Sequence, residues 1–467
     1  MSRRHSCTAG CLSVFNFPIS MTRTLLLPVI ATASLVILPS CKSLNSSEER
    51  LARQHLETAT RERDSSKDTI LPSGADAKPA DYVRFALLRH PAVFASYAEW
   101  KASVEAITPS KALPDPQLTF QADIQGTLMS LMPGVMFDLM LPGKRAAMAR
   151  EVSVGSEVAY RNYIATSSRV ADGVNKGLVE MAFIEESIRL KTKALEIAKQ
   201  TQTLASAEYQ TGMGMGTMET QLRALNDVER IKSELLSLDD QLRSVRARFK
   251  AALSLRPSDS DPDWPHPTLG KTTLPSREEL WSSIQKYNTD LAKMRAMVDM
   301  AVAQESQARQ GRIPDFTVGL MADVKQAPWM WRPTATMTLP IWRGKIQGQI
   351  ESAKSRREAA QASVDAELLN MSAELARMLF MIEEADRMIF YIDTFALPSV
   401  QRTRASAQAA IQSGMGKASM IPEASGMEIA MLLERNAAMR ERETAVTDLA
   451  LMTAQLTRES GLVHLTP

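Results

Sequence analysis

The chain says one thing twice. Residues 112 to 120 read "ALPDPQLTF" and residues 312 to 320 read "RIPDFTVGL", so that Pro114 and Pro314 lie 200 positions apart. A second pair of landmarks, "LMLPGKRAAMAR" at 139 to 150 and "MTLPIWRGKIQG" at 337 to 348, follows each. A third, "AEYQTGMGMGTM" at 207 to 218 and "AAIQSGMGKASM" at 409 to 420, puts Gly212 and Gly414 202 positions apart. Three landmarks in one order at nearly one offset imply duplication, and the fold must be built from two similar units.

After Pro114 the chain sets Leu118, Phe120, Ala122 and Ile124 on one side and Thr119, Gln121, Asp123 and Gln125 on the other. Period two is the signature of a strand with one apolar face. It recurs in Val135, Phe137, Leu139 and Leu141, in Phe316, Val318, Leu320 and Ala322, and in Ala335, Met337, Leu339 and Ile341. Each unit therefore contributes a pair of strands, with outer loops expected around Thr127 to Pro133 and Lys325 to Met330. Their length suits a tilted membrane strand of about 9 to 11 residues. Trp329, Trp331 and Trp342 stand near strand ends, where interfacial aromatics belong. Four strands close no barrel, and open edges are not tolerated in hydrocarbon, so several chains must share one.

From Lys144 to Glu208 no proline occurs, and about 65 helical residues at ~1.5 Å each span roughly 100 Å. Val174, Met181, Ile188 and Leu195 recur every seven residues. The returning stretch places Val228, Ile231, Leu235, Leu238, Leu242, Val245, Phe249 and Ala252 at spacings of three and four. That is a coiled-coil seam, and it predicts an antiparallel helical hairpin turning at Gly212, Met213 and Gly214. In the second unit Ala445, Leu449, Met452 and Leu456 keep the spacing, Arg442 interrupts it, and Pro422 is expected to disturb the helix carrying Glu423. Each unit opens with a helical stretch, Tyr82 to Ile107 and Glu278 to Gln310.

Domain limits follow. Residues 1–40 read as a signal peptide with a true start at Met21, because "MTRTLLLPVIATASLVILPSC" has one arginine, an apolar run too short for a span and a small residue before Cys41. Cys41 is the expected lipidation site, its acyl chains the only prosthetic group expected and no other cofactor implied. Residues 41–80 form a polar leader expected to be extended or partly disordered, 81–256 the first repeat, 257–276 a proline-rich linker and 277–461 the second repeat. With Arg3, Arg4 and Arg23 removed, 52 of the 55 basic residues face 53 acidic ones, which leaves no footprint for nucleic acid. Cysteines at 7, 11 and 41 alone leave none for disulfides or a thiolate metal site.

The ordered set of duplicated landmarks, from about residue 80 to 460, resembles the TolC-type outer-membrane efflux proteins, and within them the lipoprotein channels of multidrug and heavy-metal efflux systems. The resemblance implies a mainly α chain with a small β part. Three chains would pool twelve strands into an outer-membrane β-barrel and their long helical hairpins into an α-barrel tunnel through the periplasm. It implies an exit duct, not an enzyme, that passes small molecules or metal ions. The partners implied are a periplasmic adaptor, an inner-membrane resistance-nodulation-division pump and outer-membrane lipid. The adaptor would meet the hairpin tips, here Tyr209, Gly212, Met213 and Gly214 with Gln412, Gly414, Met415 and Gly416; the same glycines could instead simply close a turn. Acidic rings near the tips would be formed by Glu219 and Glu423, which on the residues alone also read as solvated surface groups. The methionines around the tips read as adaptable apolar filler, or as soft ligands for Cu(I). The histidines at 55, 90, 266 and 464 have no metal-site spacing. Two rival readings are a duct for protein secretion by an ATP-driven transporter and a structural coiled-coil envelope lipoprotein.

Overall fold

The computed structural model describes residues 47–65, 70–72, 78–125, 127–211, 217–266, 273–462 and 465. The signal-like stretch, Cys41 and the first tip's Gly212, Met213 and Gly214 lie outside the described residues.

The polar leader is in part a helix. Ala52, Leu56 and Ala59 line up on one face of α1 (Ser47–Ser65) and bury against the body of the chain, while the other residues, Leu51 apart, are polar. The stripe is narrow, which is why composition alone suggested an extended segment. At its start Glu49 is only 5% exposed and pairs with Arg53 at 3.0 Å and with Lys111.

Each repeat opens with two helices rather than one. In the first, α2 (Pro79–Arg89) and α3 (Pro91–Glu105) meet at His90, whose ring Nδ1 accepts the Ala92 N–H at 3.2 Å; α4 (Ile107–Lys111) follows. In the second, α7 (Arg277–Tyr287) and α8 (Thr289–Gln310) meet at Asn288, whose Oδ1 accepts the Leu291 N–H at 2.8 Å. Both breaks are side-chain N-caps, which favour a fresh start over continuation.

The strands β1 (Gln117–Gln125), β2 (Thr127–Leu139), β3 (Phe316–Asp323) and β4 (Met330–Met337) form one antiparallel sheet in sequence order. The loop expected around Thr127 to Pro133 is strand. Pro133 fits because β3 pairs with β2 only from Gly134 to Leu139, so at Pro133 the ladder has one neighbour, opposite Phe120.

Below the sheet, α5 (Pro142–Thr211) runs 70 residues and returns as α6 (Met218–Ala252). Val174, Met181, Val228, Ile231, Val245 and Phe249 are buried in their seam, as the heptads require. Phe249 lies on Gly177, where an added Cβ would approach its Cδ2 to 2.9 Å. Gly177→Ala is therefore expected to cost about 1–3 kcal/mol, read as a lower thermal midpoint, because a 1% exposed phenylalanine has nowhere to move.

The second hairpin is α9 (Arg343–Tyr391), a π turn (Ile392–Ala396), α10 (Leu397–Gln412) and the returning α11 (Met420–Met452), followed by α12 (Gln455–Glu459). Pro398 accounts for the π turn: its ring cannot take the carbonyl four residues back, and widening one turn relieves the clash. Pro422 does not disturb α11. It lies in that helix's first turn, where its missing N–H has no intrahelical partner to lose. Arg442, the seam's interruption, is 2% exposed and held by Asp386 at 3.0 Å and Glu443 at 2.6 Å.

In the helical layer α6 packs on α5, α5 on α11, and α11 on both α9 and α10. Asn436 of α11 joins the hairpins by donating to the Phe183 carbonyl of α5 at 2.9 Å. A core of aromatic rings, Trp100 between Tyr160 and Tyr163 at 4.7 and 5.6 Å, locks α3 to α5 beneath the strands. Among the described residues no helix is long and apolar enough to cross a membrane.

Candidate functional site

The sheet has two chemically opposite faces. Register places Leu118 opposite Val135, Val135 opposite Leu320 and Leu320 opposite Pro333, and on the next rung Phe137, Val318 and Ala335 adjoin. One apolar face thus runs unbroken across four strands, with Leu118 65%, Phe120 68% and Trp331 59% exposed. The other face carries the polar residues, interspersed with Met132, Met136 and Met321, and is internally bonded. Asp138 accepts from Thr317 at 2.6 Å and from Gln117 at 3.4 Å, and Ser130 donates to Asp123 at 2.9 Å. That face is also crowded, since a Cβ on Gly319 would lie 2.7 Å from Thr334 Oγ1 and one on Gly134 would strike Met321. Glycine is what the inside of a tightly curled sheet admits. Trp329 and Trp331, 6.5 Å apart, mark one end of the strands and Trp342, 72% exposed, the other.

The repeated motifs meet at the base of the sheet. Lys144, from the first repeat's "LPGK", binds both oxygens of Asp315, from the second repeat's "IPD", at 2.7 Å.

At the far end of the helices the second tip is fully described. Gly414 has φ of 76°, a left-handed conformation that lets the chain leave α10. The N–H groups of Met415 and Gly416 then both donate to the Ala410 carbonyl, at 3.0 and 2.8 Å. A Cβ on Gly416 would meet Ile411 N at 2.7 Å, so that glycine is fixed by packing. Gln412 is exposed beside it, and Met415, 86% exposed, crowns the turn. Of the first tip, Tyr209 is 45% exposed, and α6 restarts behind Thr217, whose hydroxyl accepts the Thr220 N–H at 3.2 Å.

Of the two acidic candidates, Glu219 forms an ion pair with Arg223 one turn on along α6. Glu423 is exposed and lines a groove of about 390 Å³ between the hairpin ends. That groove brings in charged residues which sequence reasoning left aside, Glu208, Arg223, Asp227 and Lys417. Only their spacing along the helices beside the tip glycines could have signalled them. Among the described residues no group of three or more His, Cys, Asp or Glu could hold a metal ion. His90 caps a helix, and His266 lies 2.9 Å from Glu185 on the surface.

Residues 280–455 match the family model described as outer membrane efflux protein. That stretch is similar to the outer membrane efflux proteins. It spans most of the second repeat, from α7 through α11, and so includes β3, β4 and the described tip. Over about four fifths of the chain the fold is similar to that of several solved outer-membrane proteins. It is similar to the outer membrane protein VceC of Vibrio cholerae, at 17% identity over 80% of this chain and 95% of that one, with a TM-score of 0.64. It is also similar to the MtrE outer membrane channel of Neisseria gonorrhoeae, solved in its open state, at 15% identity, 81% and 89% coverage and a TM-score of 0.67. The CmeC outer membrane channel of Campylobacter jejuni gives 13%, 83% and 90%, and 0.65. No curated protein matches the sequence. The matched stretch and the first repeat share the order of helices, strand pair and long helical hairpin.

Proposed function

We propose that three copies of this chain close into one barrel and tunnel and act as the outer-membrane exit duct of a tripartite efflux system. Small molecules or metal ions would be delivered by an inner-membrane resistance-nodulation-division pump through a periplasmic adaptor. The observation that carries this reading is the sheet: a continuous exposed apolar face, a polar inner face and two unpaired edges, joined to helices far longer than any compact domain requires. An exposed apolar face and open edges are liabilities in water, and in a bilayer they have a use once neighbouring copies pair the edges. The structural-lipoprotein reading leaves the sheet without a purpose. Acylation at Cys41 belongs to the same proposal and anchors each copy beside the barrel.

The adaptor is assigned to the hairpin tips, where Met415 offers an exposed and adaptable apolar contact above a rigid turn. Glu423 is the better of the two candidates for an acidic lining near the tips, because Glu219 already has Arg223. Cross-linking in intact cells, followed by purification and mass spectrometry, tests the reading. The expected result is recovery of an adaptor and a proton-driven pump. Met415→Glu, which alters only an exposed side chain, lowers adaptor recovery about tenfold, the effect of losing roughly 1.4 kcal/mol. Recovery of an ATP-driven transporter would move the function to protein secretion, and recovery of cell-wall proteins alone would sink the duct.

A further inference from the structure

The join between the two repeats inside one chain is a template for the join between copies. Helix register shows which residues correspond. The Arg145 N–H donates to the Leu141 carbonyl at 3.1 Å, and the Ile346 N–H donates to that of Trp342 at 3.2 Å, so α5 and α9 begin alike at Leu141 and Trp342. From these starts Gly143-Lys144 corresponds to Gly344-Lys345, and the buried Arg145 and Ala149 correspond to the buried Ile346 and Ile350. Lys144 and Lys345 also line one groove over the last turns of α8, on the same face of the helical layer. Asp115 follows Pro114 as Asp315 follows Pro314.

Lys144 has its partner in Asp315. Lys345 and Asp115 are both exposed and, among the described residues, form no ion pair of the kind that joins Lys144 to Asp315. They cannot readily meet there, because Asp115 precedes β1 and Lys345 follows β4, the two opposite edges of the sheet. The strands repeat the pattern. Between repeats β2 pairs with β3 as Leu139 with Phe316, Phe137 with Val318 and Val135 with Leu320. Met337 stands opposite Phe316 on β4 just as Leu139 does on β2. Carried over, that register sets Met337 against Pro116, Ala335 against Leu118 and Pro333 against Phe120. Every residue so paired belongs to the apolar face, whereas a slip of one residue would set apolar against polar on every rung.

We propose that β4 of one copy pairs with β1 of the next in this register, with Ala335 opposite Leu118, and that Lys345 binds Asp115 of the next copy as Lys144 binds Asp315. This rests on the ring reading above and adds the residues that close it. A ring closed this way leaves no strand edge and no unmatched member of the Lys-Asp set.

The test uses the full-length chain, whose only cysteines are at 7, 11 and 41. With Leu118→Cys and Ala335→Cys together, mild oxidation is expected to give disulfide-linked dimers and trimers. Leu118→Cys with Met337→Cys, or with Pro333→Cys, is expected to give few. Asp115→Lys or Lys345→Asp alone lowers the temperature at which the trimer band disappears by about 3–6 °C, and the double exchange restores it. Preferential linking of Leu118→Cys to either alternative overturns the register, and no restoration by the double exchange overturns the ion pair. In both cases a trimeric mass in mild detergent leaves the ring reading standing. A single-chain mass overturns the ring and the proposal together.

Discussion

Arg442→Ala is expected to cost the chain about 3–5 kcal/mol, because it strands charge that cannot reach water. Arg442 is 2% exposed in the middle of α11, with Asp386 of α9 at 3.0 Å and its neighbour Glu443 at 2.6 Å. Burial already pushes the Glu443 carboxyl above its ordinary value, against the pull of Arg442. Without the guanidinium that rise grows, and ionised Glu443 must be buried unpaired or the helices must part. The sign of the pH dependence follows. A carboxyl whose folded pKa exceeds its unfolded one costs stability as pH rises through the unfolded value, so the variant's deficit should narrow on acidification through the ordinary glutamate range. Thermal melts of the detergent-solubilised protein at several pH values measure this. Arg442→Met combined with Glu443→Gln should recover much of the loss, since the one charge left, Asp386, has a side chain 31% exposed that water can reach. A melt unchanged by Arg442→Ala would show that the triad is solvated in the assembled protein.

Leu320→Arg is the second large effect, and it falls on assembly. Leu320 is 48% exposed at the centre of β3, between Val135 and Pro333 on the apolar face. An arginine on the lipid side of a barrel near the bilayer midplane costs about 2–4 kcal/mol per chain, and a ring bears it three times. Thr336→Lys, on the polar face of β4, is the matched control and should assemble nearly as well as the parent. The measured quantity is the fraction of protein that folds into lipid vesicles, followed by protease protection. Reversal of the two results would mean that the apolar face packs on protein and the polar face meets the surroundings.

The sequence carried the architecture because its strongest signals are periodic. Alternation at Leu118, Phe120, Val318 and Leu320 marks strands wherever one face is buried or lipid-facing, and the heptads through Val174 and Met181 mark the long seam. What escaped was set by single contacts. The break at Asn288 depends on one side chain capping the next helix, and the π turn depends on Pro398 meeting a helix that tertiary packing keeps going. α1 was hidden because Ala52, Leu56 and Ala59 are few among charged neighbours. The Lys144–Asp315 pair joins residues 171 apart, which no local pattern reports. Arg442 looked like a fault in the seam because periodicity cannot see Asp386 on another helix. At the second tip the glycine signal correctly marked a reversal, while the charged groove beside it came from three chain segments that only the folded molecule brings together.

The far end of the sheet is very short. Residue 126 alone separates β1 from β2, and residues 324–329 separate β3 from β4. In the proposed orientation that end faces the outside of the cell, so each copy would present there only a one-residue and a six-residue connection. An antibody or a phage needs several hundred square ångströms of relief to grip, and this rim offers little. Variation on that rim would have only a handful of positions on which to act.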